Sequence, residues 1–285
     1  MSGLPPQEPH LPDALHLVDE PPPTDALHLT SDVGEPGVLE PAQIYRRLPD
    51  DEVPDAAVLC FFPDTVRSIG AREGSTVAFT FSGLIGEQPC YVREVGGRRI
   101  AFLFPEIGAP RASMFLEEAI ARGITRFVAV GSAGVLVPDL VMGHPFVVTS
   151  ALRDEGTSAH YGVTAGVVAA PPSGIRACIA ALDAAGAPHQ AGRTWTTDGI
   201  YRETRSTVAR RIAAGCAVVE MEASALLAVA AFRGVELGQI LFSADSLAGE
   251  DWDHRGWVSA EDAHEQVFWI AMDAARRLAE AGRED

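Results

Sequence analysis

Ile124-Thr125-Arg126-Phe127-Val128-Ala129-Val130-Gly131-Ser132-Ala133-Gly134 opens the stretch on which the reading of the chain turns, and Phe146-Val147-Val148-Thr149-Ser150-Ala151-Leu152-Arg153-Asp154-Glu155-Gly156-Thr157-Ser158 completes it. Phe127 to Val130 is a short apolar run with two β-branched residues, bounded by turn formers, and reads as a buried strand. The small residues 131–134 predict a turn at its carboxyl end, where a ligand can approach the backbone closely. Phe146 to Ser150 predicts a second buried strand that runs into the polar cluster 153–158. In open α/β sheets ligands bind outside the carboxyl ends of the strands. The two strands therefore carry two polar loops toward one rim.

Working outward, apolar runs predict further strands at 56–62, 76–81, 217–220 and 239–243. The segments 90–94 and 99–104 flank Gly96-Gly97 as a hairpin. Helices are predicted at 111–122, 173–186 with Ser173 as a candidate N-cap, 221–233 and 260–283. Glu117 and Glu118 are assigned to the polar face of the first of these. Strands alternating with helices predict an α/β fold, and the hairpin makes its sheet mixed. Residues 1–41 hold nine of the 20 prolines, no basic residue and many acids, and read as an acidic, flexible arm before a domain at 42–285.

The net charge is −17, and all 22 basic residues are arginine. This balance argues against nucleic acid or an anionic membrane as partner, so any anion site must be built locally. Cys60, Cys90, Cys178 and Cys216 lack metal-type spacing and read as buried free thiols of a cytoplasmic protein. No signal peptide, transmembrane run, metal-ligand cluster, P-loop or nucleophile elbow is visible, and no cofactor is expected.

Four predicted strand ends carry polar groups: Ser132; Arg153 with Asp154 and Glu155; Glu220-Met221-Glu222; and Asp245. Glu222 falls in the first turn of a predicted helix, where the helix dipole would keep it ionised and able to accept two hydroxyl donors. The alternative for Glu222 is a plain capping acid. Asp245, in Ser-Ala-Asp-Ser, is either a general acid or a turn residue.

The ordered set Gly108-Ala-Pro, Val130-Gly-Ser-Ala-Gly, Arg153-Asp-Glu-Gly-Thr-Ser, Thr194-Trp-Thr-Thr-Asp, Val219-Glu-Met-Glu-Ala and Ser243-Ala-Asp-Ser-Leu resembles the nucleoside phosphorylase-I family. That family holds uridine and purine nucleoside phosphorylases and the methylthioadenosine/adenosylhomocysteine nucleosidases. The resemblance implies a single α/β domain with a mixed, barrel-like central sheet, and a homo-oligomer, dimer or trimer of dimers. It implies cleavage of an N-glycosidic bond, with a nucleoside and phosphate as small-molecule partners. By the same resemblance Glu222 and Met221 correspond to residues at the ribose, Glu220 to the preceding acid, and Gly131 and Ser132 to the phosphate or water pocket. Ile200 and Tyr201 correspond to the base-lining segment, Arg153 to a substrate-binding position, and Asp245 to the acid that protonates a purine.

Two departures stand out. The loop after the first strand reads Phe61-Phe62-Pro63-Asp64-Thr65, and residue 129 is alanine, so both in-chain phosphate arginines of the family's phosphorylases are missing. Arg67 or Arg111 is the candidate substitute, and Tyr45 or Arg46 the candidate contribution to a neighbouring subunit's site. The expected activity is phosphorolysis of a purine nucleoside to free base and sugar 1-phosphate. Hydrolysis, or binding without catalysis, stands as the alternative.

Overall fold

The computed structural model describes residues 34–83, 86–256 and 260–281. The expected arm at 1–41 therefore lies outside the described residues except for its last eight. In chain order the elements are α1 (Pro41–Ile44), β1 (Ala56–Cys60), α2 (Pro63–Gly70), β2 (Ser75–Gly83), β3 (Gly86–Val95), β4 (Arg98–Leu103), α3 (Ala109–Ala121), β5 (Arg126–Val135), β6 (Pro145–Asp154), β7 (Val167–Ala169), α4 (Pro172–Ala184), β8 (Gln190–Thr197), α5 (Arg205–Ala213), β9 (Cys216–Glu220), α6 (Ala223–Arg233), β10 (Glu236–Ser246) and α7 (Glu261–Ala281).

The sheet is mixed and closes on itself. β5 pairs with β10, β10 with β6, β6 with β8, β8 with β9, and β9 returns to β5, making a ring of five strands. β5 also pairs with β1, from which β4, β3 and β2 extend as a flange. β5 is thus the hub, as its apolar run requires: Phe127 to Val130 is fully buried.

One correction concerns its end. The predicted turn at 131–134 is strand, and so is Ser-Ala-Asp-Ser at 243–246. Gly131, Ser132 and Ala133 pair with Leu241, Phe242 and Ser243 of β10, and Gly134 and Val135 then pair with β9. Small residues are needed there for closeness rather than turning: a Cβ on Gly134 would lie 2.8 Å from Leu247 and 3.0 Å from Val219. A Cβ at that point would have to push both side chains aside, so glycine suits the closure between β5 and β9.

Two helical layers cover the sheet. Val267, Phe268, Ala271, Met272, Ala275 and Leu278 of α7 recur at helical spacing and pack with Val58, Val130 and Ile240. On the other face α3 and α6 enclose Ala57, Leu59, Phe127 and Ala129. Glu117 and Glu118 of α3 are buried rather than exposed, because Arg233 and Arg122 pair with them at 2.7 and 2.8 Å. α4 begins after Pro171 as N-cap; the Ser173 hydroxyl instead hydrogen-bonds Glu236. The four cysteines are buried and free.

Candidate active site

A cavity of about 400 Å³ opens where the carboxyl ends of β1, β5, β9 and β10 meet the loop before α3 and the start of α7. Its walls hold Gly131, Ser132, Ile200, Glu220, Met221, Glu222 and Asp245, seven of the positions singled out from the sequence. The remaining six stand elsewhere. Arg153 donates to the Ser158 hydroxyl at 2.5 Å and the Ala165 carbonyl at 3.0 Å, which fixes a loop beside the cavity. Tyr201 points to solvent, 94 % exposed. Arg67 is exposed and paired with Asp64. Arg46 is also exposed. Arg111 and Tyr45 come together at a separate, small cavity, with Arg111 held at 2.7 Å by Glu106 and lying over the Phe115 ring.

The Glu220-Met221-Glu222 segment is built by the junction of β9 and α6. Glu220, not Glu222, caps the helix. Its Oε2 accepts from the backbone N–H groups of Glu222 and Ala223 at 2.7 and 2.6 Å. Its Oε1 accepts from Thr196 Oγ1 at 2.6 Å and more weakly from Thr194 Oγ1 at 3.3 Å. These donors suit a carboxylate at a helix N-terminus. Glu222 is the N-cap residue by position but its side chain makes no cap bond. It turns to the loop before α3 and accepts the Gly108 N–H at 2.6 Å. Gly108 can present that N–H because its φ is 96°, and Glu106 nearby takes φ 61°, a strained value for a residue with a Cβ.

This arrangement corrects the expectation that the helix dipole keeps Glu222 ionised. Burial raises the Glu222 carboxyl to about 8, with the charge of Glu220 adding to it and the Gly108 and Met221 N–H groups opposing it. Burial also raises Glu220, against the Thr196, Glu222, Ala223 and Thr194 donors. Four donors favour the charge on Glu220, so of the two it is Glu222 that carries the proton when the cavity is empty.

At the other side of the cavity Asp245 Oδ2 accepts the Trp252 indole N–H at 2.6 Å. Glu203, a position not singled out from the sequence, lines the same wall. Burial first and the Asp245 charge second push its carboxyl up to about 7. Its signal in the sequence was only membership of a polar loop. Two more lining residues went unremarked. Gln239 is 2 % exposed inside β10. His264 stacks on Phe62 with ring centroids 4.2 Å apart, and burial lowers its titration.

The cavity walls thus contain Asp64, Glu203, Glu220, Glu222, Asp245 and Glu261, and among the described residues neither arginine nor lysine. Such walls can hold hydroxyl and amine donors and stabilise a developing positive charge.

A ring of five mixed strands with the site at its open end, two helical layers and an acidic cavity define an α/β enzyme-like fold of one particular type. The chain belongs to the phosphorylase superfamily, whose family model matches residues 55–283. Among its relatives is uridine phosphorylase of Escherichia coli, 25 % identical over 230 residues, covering 76 % of this chain and 89 % of the relative. Guanosine phosphorylase of Halorubrum lacusprofundi is 27 % identical over 177 residues, covering 60 % and 73 %. The crystal structure of uridine phosphorylase from Vibrio fischeri shares the fold with a TM-score of 0.69, at 22 % identity, covering 81 % of this chain and 95 % of that one.

Proposed function

We propose that this chain is a nucleoside phosphorylase: it cleaves the N-glycosidic bond of a purine nucleoside and passes the sugar to phosphate. The observation that carries the reading is Glu222, a buried carboxyl fixed at the cavity wall by Gly108, in a chain of the phosphorylase superfamily. As the C1′–N bond breaks, the sugar becomes oxocarbenium-like. A carboxylate beside it then contributes more in the transition state than in the ground state. In this reading Glu222 accepts the sugar hydroxyls, Met221 lies under the ring, and Asp245 serves the base as proton donor. The Glu203–Asp245 acid pair supports a base that offers both acceptor and donor atoms, as purines do. Completion of the site by a neighbouring subunit remains part of the proposal; full activity of a monomer in light scattering would refute that part.

A second reading has its own observation. No arginine or lysine lines the cavity among the described residues, which favours water over a phosphate dianion as acceptor. Incubation with a panel of nucleosides, with and without phosphate, tests both. The first reading expects base release that requires phosphate and yields a sugar 1-phosphate. Free sugar formed at full rate in phosphate-free buffer would replace it by hydrolysis, and no base release from any nucleoside would refute both.

A further inference from the structure

Along β10 the inward positions Leu237, Gln239 and Leu241 alternate, and only the middle one is polar. Gln239 is 98 % buried and lines the cavity, yet no hydrogen bond reaches its carboxamide from any described residue. Buried polar groups in folded proteins are almost always satisfied, so an orphan one asks for an explanation. A leucine in this place would extend the apolar run and would be more stable than an amide with no partner.

The register says what the amide faces. Gln239 lies opposite Ala129 on β5, and Leu241 lies opposite Gly131. Ala129 offers only a methyl and the Phe61 side chain packs over Gly131, so no polar group of β5 reaches the amide. Ser132 follows at once on the same strand and also lines the cavity. Gln239 and Ser132 therefore bring uncharged polar groups to one wall of a cavity whose other polar groups are mostly acids.

We propose that Gln239 binds and positions the acceptor oxygen of the reaction, through a carboxamide that only the ligand satisfies. The inference rests on the nucleoside-cleaving reading above and names the group that holds its second substrate. The shared chemistry is an oxygen nucleophile carrying a proton, either of phosphate or of water. The C1′–N bond breaks with its electron pair going to the base, and the acceptor oxygen forms the new C1′–O bond. The proton of the acceptor balances the base, reaching it by way of the acids that line the cavity. A carboxamide suits this acceptor because it can both donate to an oxygen and accept its O–H.

The test compares wild type with Gln239→Leu and Gln239→Asn. Wild-type base release comes first; its failure with every nucleoside refutes the functional reading itself, before any variant is made. If phosphate is the acceptor, Gln239→Leu should raise the KM for phosphate about 10- to 100-fold. If water is the acceptor, kcat in phosphate-free buffer should fall by the same factor. In either case the KM for nucleoside should stay within about twofold, Gln239→Asn should recover part of the loss, and the Tm of Gln239→Leu should rise by about 2–4 °C. Should the leucine variant not fold, Gln239→Met gives the same comparison with an unbranched apolar chain. Acceptor dependence within about twofold of wild type would overturn the proposal. So would a loss that appears equally in nucleoside KM or comes with a lowered Tm.

Discussion

Replacing Glu222 by glutamine separates the charge of this side chain from its shape. The amide oxygen can still accept the Gly108 N–H now held at 2.6 Å. What disappears is a carboxyl pushed from 4.5 to about 8 by burial and by Glu220. An acid whose folded value is raised keeps its proton in the folded state while the unfolded chain loses it. Wild-type stability therefore falls as pH rises from 4.5 and levels off above 8. At about 1.36 kcal/mol per pH unit, the interval from 4.5 to 8 limits the loss from this group to about 5 kcal/mol. The variant lacks this contribution, so its Tm should decline less between pH 5 and 9 and should exceed that of wild type at pH 9. Activity should move the other way. Hydroxyl donors bind the ionised carboxyl, so deprotonation of Glu222 should give wild-type kcat/KM a rising limb, opposed by the falling limb expected from Glu203. Loss of the charge facing a cationic sugar should cost about 10²–10³ in kcat/KM. Thermal melts across pH and initial rates of base release measure both. An unchanged kcat/KM, or parallel Tm–pH curves for variant and wild type, would refute the reasoning.

Three further predictions follow from other parts of the molecule. Glu203→Gln should remove a falling limb near pH 7 from the kcat/KM profile, because it replaces a carboxyl that deprotonates there by a permanent donor; an identical profile would exclude Glu203 from the chemistry. Arg111→Ala and Arg67→Ala should leave the KM for phosphate within about twofold, since neither arginine lines the cavity and one guanidinium is held by Glu106 while the other is exposed and paired with Asp64; a tenfold rise in a phosphate titration would reinstate either as an anion ligand. Gly174→Ala should destabilise by about 3 kcal/mol or be insoluble, since its Cβ would lie 2.2 Å from the Leu237 carbonyl oxygen; a loss under about 1 kcal/mol in denaturant melts would contradict the close packing of α4 on β10.

The parts of this fold that were legible in the sequence are those decided locally. Apolar runs bounded by turn residues marked β1, β6 and the buried half of β5, and Gly96-Gly97 marked the β3–β4 hairpin. The signals of two helices were present and went unread. α2 starts at Pro63 and buries Val66 and Ile69 three residues apart, and α5 is capped by Thr204, whose hydroxyl accepts the Thr207 N–H. What local reasoning could not reach was set by distant partners. Gly131 to Gly134 has little intrinsic strand preference, and only β10 and β9 make it strand. The protonation of Glu222 depends on Gly108, 114 residues away, and on a Glu220 that has taken the helix cap. Gln239 looked like one polar residue in an apolar strand. Its meaning depends on Ala129, which the sequence showed only as a missing arginine.

Ala129, Gln239 and the acid-lined walls point to one electrostatic design. A chain with net charge −17 and no lysine has placed six acidic side chains around its main cavity. Gathering carboxyls in a partly buried wall disfavours their charged forms, by desolvation and by like-charge repulsion. Burial raises Glu203, Glu220 and Glu222, and the charges of Asp245 and Glu220 add to the rise at Glu203 and Glu222 respectively. In the proposed reaction such a wall would stabilise a sugar that becomes cationic as its bond to the base breaks, most of all once Glu222 has lost its proton. The same wall repels an anionic acceptor. A neutral carboxamide at position 239 adds no field of its own. It can orient an acceptor without offsetting the negative potential that favours the oxocarbenium ion, whereas an arginine at position 129 would hold phosphate more tightly and weaken that potential. In that reading the balance between acceptor affinity and cation stabilisation is set on the β5–β10 pair, and Ala129→Arg should shift it toward a lower KM for phosphate in a phosphate titration; an unchanged or raised KM would count against the reading.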